Sequence, residues 1–84
     1  MIKKYMKTAT VKAIQYTGKN ISEIKEFVGN KLLEGSNNAL YFIDTLEGEI
    51  SFCAGDYICK GIKGEFWAVE RTIFEKTYEE VNDD

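Results

Sequence analysis

Lys60 and Lys63 flank glycines 61 and 64 inside the segment AGDYICKGIKGEFW, residues 54–67. Two cations beside a glycine turn can hold a phosphate or a carboxylate. The ammonium groups neutralise the charge, and backbone amides unshielded by side chains donate hydrogen bonds. Trp67 closes the segment with a ring on which a base could stack. Arg71 follows Glu70 just beyond it, either as a ligand-facing guanidinium or as half of a solvated ion pair. The glycines also have a plainer reading as turn residues that take positive φ. They match neither the Walker pattern, which needs GK[ST] before a long helix, nor the dinucleotide fingerprint of a βαβ unit.

Catalytic chemistry is not legible. The 84 residues include no histidine, so Ser22, Ser36 and Ser51 have no imidazole to activate them. Asp56, Glu65 and Glu75 fall at turn or strand ends without a base or nucleophile to complete a set. The two cysteines, Cys53 and Cys59, cannot supply a four-ligand metal site. They read as reduced, partly buried thiols of a cytosolic protein, since one bridge without a signal peptide does not suit a secreted scaffold. The expectation is a binding protein with no cofactor and no metal. No apolar run reaches the roughly 18 residues of a membrane span, so a soluble, cytoplasmic chain is expected.

Charge is unevenly spread. Residues 1–19 carry Lys3, Lys4, Lys7, Lys12 and Lys19 without an acid, and the remainder sets six basic residues against fourteen acids. An acidic body argues against a binder of duplex nucleic acid, which needs a basic domain. It leaves room for a small anion, because a few local cations suffice.

The elements that must position these groups follow from periodicity. Residues 8–17, TATVKAIQYT, alternate Val11, Ala13 and Gln15 against Lys12, Ile14 and Tyr16. Apolar atoms on both faces predict an internal strand. Ile21, Ile24, Phe27 and Val28 share one helical face, so a helix is predicted over Ile21–Val28. Asn20 should cap it, with Glu23 as capping-box partner and Gly29 closing the C-terminal end. Residues 30–38, which contain GSNN, read as a polar, mobile connection. ALYFIDT at 39–45 and EISFC at 49–53 form a hairpin in which Gly48 takes positive φ. YICK at 57–60 and EFWAV at 65–69 are further strands. Residues 71–76 suggest a helical turn, 77–81 a last extended piece, and 82–84 a fraying tail. Phe66 and Trp67 must face opposite sides of one strand, one of them in the core.

The fold class is therefore α+β: a small, curved antiparallel sheet or partial barrel of five or so strands, with one main helix over a face or end. Eighty-four residues, 13% of them aromatic, also predict self-association, because exposed aromatic surface in so small a domain needs covering.

Three segments, VKAIQYTG, TLEGEISFCAGDYICKGIKGEF and IFEKTYEEV, resemble a family of short phage and prophage proteins, chiefly of Gram-positive bacteria. The family pattern is A-x-Q-[WY], T-x-E-G, P-G-D-[WY]-I, G-x-x-G-E-F-[WY] and I-F-x-x-T-Y-E, in that order. This chain departs from it at Ala54, where proline is usual, and at residues 69–72, VERT, in place of a C-K-P-D-like stretch. The family in turn resembles small viral sponge proteins, which sequester the cyclic nucleotide messengers of CBASS- and Thoeris-type antiphage defence. The resemblance implies immune evasion without catalysis, a homo-oligomer with interface pockets, and residence in the host bacterial cytoplasm. The ligand contacts expected on that reading are Lys12, Tyr16, Lys60, Lys63, Trp67 and Arg71. Two other classes remain open: a phage inhibitor that binds a host nuclease or defence protein directly, for which the acidic body is suited, and a structural accessory protein.

Overall fold

A computed structural model describes residues 1–6, 9–35 and 41–81. Chain order gives β1 (Lys12–Gln15), α1 (Ile21–Val28), a 3-10 turn (Gly29–Lys31), β2 (Leu32–Glu34), β3 (Tyr41–Thr45), β4 (Gly48–Phe52), β5 (Tyr57–Lys60), β6 (Phe66–Val69) and α2 (Arg71–Thr77). The class is α+β, with antiparallel pairing in every ladder. The strands are divided between two sheets of three, ordered β1-β5-β6 and β2-β3-β4, and they do not close into a barrel.

The helix over Ile21–Val28 forms where its apolar spacing places it. Ile24 and Val28 are buried, and Ile21 and Phe27 pack beside them. Its cap differs from the expected capping box. The Asn20 side chain turns backward: Oδ1 accepts from the Thr17 amide at 2.8 Å, and Nδ2 donates to the Gln15 carbonyl at 2.9 Å. Thr17 thus takes the oxygen that a helix N–H would need, while the Nδ2 bond turns the amide away from the helix, so α1 starts without a side-chain cap. Glu23 and Ile24 instead donate to the Asn20 carbonyl.

Three further expectations need correction. β1 is an edge strand, because β5 pairs it on one side only. Ile14 packs against the core on one face while Ala13 stays exposed on the other, so apolar residues on both faces do not require a strand on each side. The polar connection after α1 contains β2, which pairs Leu32 with Ile43 and Leu33 with Phe42. Residues 78–81 add no strand: α2 runs through Thr77, and Tyr78 stacks on Phe74 instead. Residues 36–38 of GSNN, residues 39–40 at the start of the ALYFIDT run, Thr8 and the acidic tail 82–84 lie outside the described residues.

The β3–β4 hairpin turns through Leu46 and Glu47, and Gly48 adopts φ 107° where it faces Thr45 across the ladder. The core lies between the sheets and α1. Ile24, Ile43 and Ile58 are fully buried, with Val28, Phe52 and Phe66 nearly so. Phe27 meets Phe66 edge-on, with ring centroids 5.9 Å apart.

Cα register sorts the first sheet into two faces. Lys12, Ile14, Ile58, Lys60, Phe66 and Ala68 share the face toward α1; Ala13, Tyr57, Cys59, Trp67 and Val69 share the other. α2 covers part of that second face through a stack of rings. Tyr57 and Phe74 lie 3.9 Å apart at 8°, and Phe74 and Tyr78 lie 4.7 Å apart at 21°.

Candidate functional site

The six sequence-derived contacts do not converge on one place. Lys12 and Lys60 do meet. They are direct partners across the β1–β5 ladder, although 48 positions separate them in the chain. Both edge an open depression of about 400 Å³, lined also by Thr10, Gly61, Ile62 and Gly64. Lys12 is exposed, and Lys60 is half-buried with its Nζ 5.7 Å from the Phe66 ring centroid. Among the described residues Lys31 and Asp44 form an ion pair at 3.7 Å, and neither Lys12 nor Lys60 is in one. Like charges facing each other across a ladder are unfavourable by a few tenths of a kcal/mol. That cost is offset when an anion settles between them.

Lys63 lies at the tip of the same turn but edges a different depression, with Lys31, Asp44, Thr45, Leu46 and Phe66. Tyr16 belongs to the core, edge-on to Phe52 at 5.1 Å and to Tyr41 at 6.4 Å. The β1 alternation that points Lys12 and Ile14 toward the α1 side carries Tyr16 there as well, at the buried end. Trp67 is half-buried on the opposite face of the sheet from Lys12 and Lys60, while Phe66 takes the core position. Arg71 is exposed in the first turn of α2.

The expected open amides of the glycine turn are engaged. The Gly61 amide donates to the Glu65 carbonyl at 2.9 Å, and the Gly64 amide donates to the Gly61 carbonyl at 3.0 Å. Lys63 donates its amide to Glu65 Oε1 at 3.1 Å. The Glu65 carboxylate lies so close over Gly61 that a Cβ there would overlap it. A residue with a Cβ at position 61 would need only the end of that flexible side chain to shift. Sequence reasoning noted Glu65 only as an acid at a turn or strand end, and the signal for this contact was its place two residues after Lys63, within reach of that amide.

Glu70 does not pair with Arg71 as its main contact. Its carboxylate caps α2, accepting from the Thr72 and Ile73 amides at 3.1 and 3.2 Å and from the Thr72 hydroxyl. The Thr72 hydroxyl, then the two amides, hold the Glu70 carboxyl below its ordinary pKa, with the Arg71 charge adding a smaller push.

Cys53 is exposed and Cys59 buried, so burial is unequal where partial burial of both was expected; neither forms a disulfide. Among the described residues no cluster of His, Cys, Asp or Glu has the makings of a metal site. No helix among them is long and apolar enough to cross a membrane.

Against known proteins, the chain matches no family model, no curated protein and no solved structure.

Proposed function

We propose that this chain is a phage-encoded, non-catalytic protein that binds a cyclic nucleotide messenger of bacterial antiphage defence and lowers its free concentration. One observation carries the reading: Lys12 and Lys60 face each other, without an acid between them, at the mouth of a depression wide enough for a phosphodiester. Each charge-assisted hydrogen bond to a phosphate contributes about 1.5–3 kcal/mol. The motif order shared with the phage family supports the same reading.

The depression has no aromatic in its lining, and Trp67 is on the other face of the sheet. Binding there rests on the two ammonium groups and not on base stacking. The setting is the host cytoplasm.

Calorimetry against cyclic dinucleotides, cyclic trinucleotides and cyclic ADP-ribose isomers tests this directly. Lys12→Ala and Lys60→Ala should each weaken binding roughly tenfold. Heat-denatured protein purified from a messenger-producing host should release the intact cyclic compound. Recovery of a linear product would make the protein an enzyme. No binding across the panel would favour an inhibitor that acts on a host nuclease or defence protein, or an accessory phage protein.

A further inference from the structure

A groove of about 510 Å³ runs between β1 and α2, on the face of the first sheet away from the core. Val11, Ala13, Tyr57, Phe74 and Tyr78 form its apolar floor and wall, and Glu75, Glu79 and Glu80 line it with negative charge. Its aromatic rings are already stacked on one another, with Phe74 between Tyr57 and Tyr78.

The same molecule presents a segment of complementary character. In residues 1–6, MIKKYM, the side chains of Ile2, Tyr5 and Met6 are 85–100% exposed, and Lys3 and Lys4 are exposed between them. Four exposed large apolar groups in six residues, Met1 included, form an apolar stretch of the kind that marks an interaction site. Its two cations are opposite in charge to the acids of the groove. Position also favours the match. Ala9 and Thr10 line a depression adjoining the groove, with Tyr78 and Glu79 in its wall. Residue 6 is within about 10 Å of chain from Ala9, so the segment is tethered near one end of the groove.

We infer that residues 1–6 of one copy dock in the β1–α2 groove of a second copy, and that the exchange is reciprocal. Ile2, Tyr5 and Met6 cover Tyr57, Phe74 and Tyr78, while Lys3 and Lys4 meet Glu75, Glu79 and Glu80. Each copy carries both the segment and the groove, so a two-fold arrangement satisfies both contacts at once and closes the assembly as a dimer. The surface is separate from the Lys12–Lys60 depression, so the inference stands whether or not a nucleotide is the ligand.

Sedimentation of the full chain at micromolar concentration is the test. The wild type should sediment as a dimer. Lys3→Glu with Lys4→Glu, and separately Glu79→Lys with Glu80→Lys, should each weaken dimerisation by roughly tenfold or more. All four positions are exposed, so circular dichroism should report an unchanged fold. An equimolar mixture of the two double variants should recover the dimer, because the reversed segment of one meets the reversed groove of the other and the remaining pair is wild type. Lys12→Ala with Lys60→Ala should leave the dimer intact. A monomeric wild type, double variants that dimerise like it, or a mixture that stays monomeric would each overturn the inference.

Discussion

The two faces of the β1-β5-β6 sheet are built from neighbouring residues and have opposite characters. Toward α1, Ile58 and Phe66 are sealed beneath Ile24, Val28 and the second sheet. On the reverse face Cys59 is equally buried, yet Tyr57, Phe74 and Tyr78 stay half-exposed under a seven-residue helix. One face is a folding core. The other is a surface with excess apolar area held in place by ring stacking. The difference shows that stability and recognition occupy opposite sides of one thin sheet, with the Lys12–Lys60 pair where the core face opens to water.

The sharpest way to break this comparison is to create a cavity on each side. Ile58→Ala should destabilise by about 3–4 kcal/mol, read as a lower urea midpoint. Phe74→Ala should cost only about 1–2 kcal/mol by the same measurement, because the lost ring was partly in water. Equal losses would mean that the second face is a core after all.

The lysine pair should separate the two currencies. Lys12→Ala should weaken nucleotide binding roughly tenfold in calorimetry. It should also raise folding stability by a few tenths of a kcal/mol, because the like-charged partner across the ladder is relieved. A variant that lost both would mark Lys12 as structural.

Glu65 offers a smaller and opposite effect. Its carboxylate holds the Lys63 amide and lies over Gly61, beside the depression. Glu65→Ala removes a competing anion, so binding should tighten by roughly fivefold while the turn loses about 0.5–1.5 kcal/mol of hydrogen bonding. Weaker binding in that variant would show that the acid positions the lysines instead of opposing the ligand.

The smallest effect concerns the cap of α2. The Glu70 pKa is depressed in the folded chain, so the cap contributes above the ordinary carboxylate range and is lost as pH falls through the folded value. Amide exchange across Arg71–Thr77, corrected for intrinsic rates, should therefore speed up on acidification, and Glu70→Gln should blunt that response. The α1 amides, whose helix has no such cap, should show no matching step.

Local signals were legible in the sequence, and long-range ones were not. The spacing of Ile21, Ile24, Phe27 and Val28 delimits α1 because a helix face repeats within a few residues. Gly48 marks its hairpin for an equally local reason, the φ it must adopt. β2 escaped notice because Leu32, Leu33 and Glu34 are too few to alternate, and pairing with β3 makes them a strand. Asn20 carried a good capping signature, but the Thr17 loop claims its side chain. The candidate site suffered most. The sequence marks Lys60 as a cation near a turn and Lys12 as a cation on a strand, yet only register makes them neighbours. Tyr16 and Trp67 were sound as stacking rings but lie in the core and on the far face, a matter of which side of the sheet each alternation meets.

The pairing of β1 with β5 has a kinetic side. β3–β4 and β5–β6 join strands that are close in sequence, whereas β1 reaches β5 by closing a loop of 41 residues, 16–56. Such a closure loses the most chain entropy and rewards it last, so β1 should dock late in folding and, as an edge strand, detach early under stress. An anion gripped by Lys12 and Lys60 ties the ends of that loop together. Occupancy of the depression would then be readable far from the ligand, as slowed amide exchange along β1, and the strand that opens most easily becomes the one that reports binding.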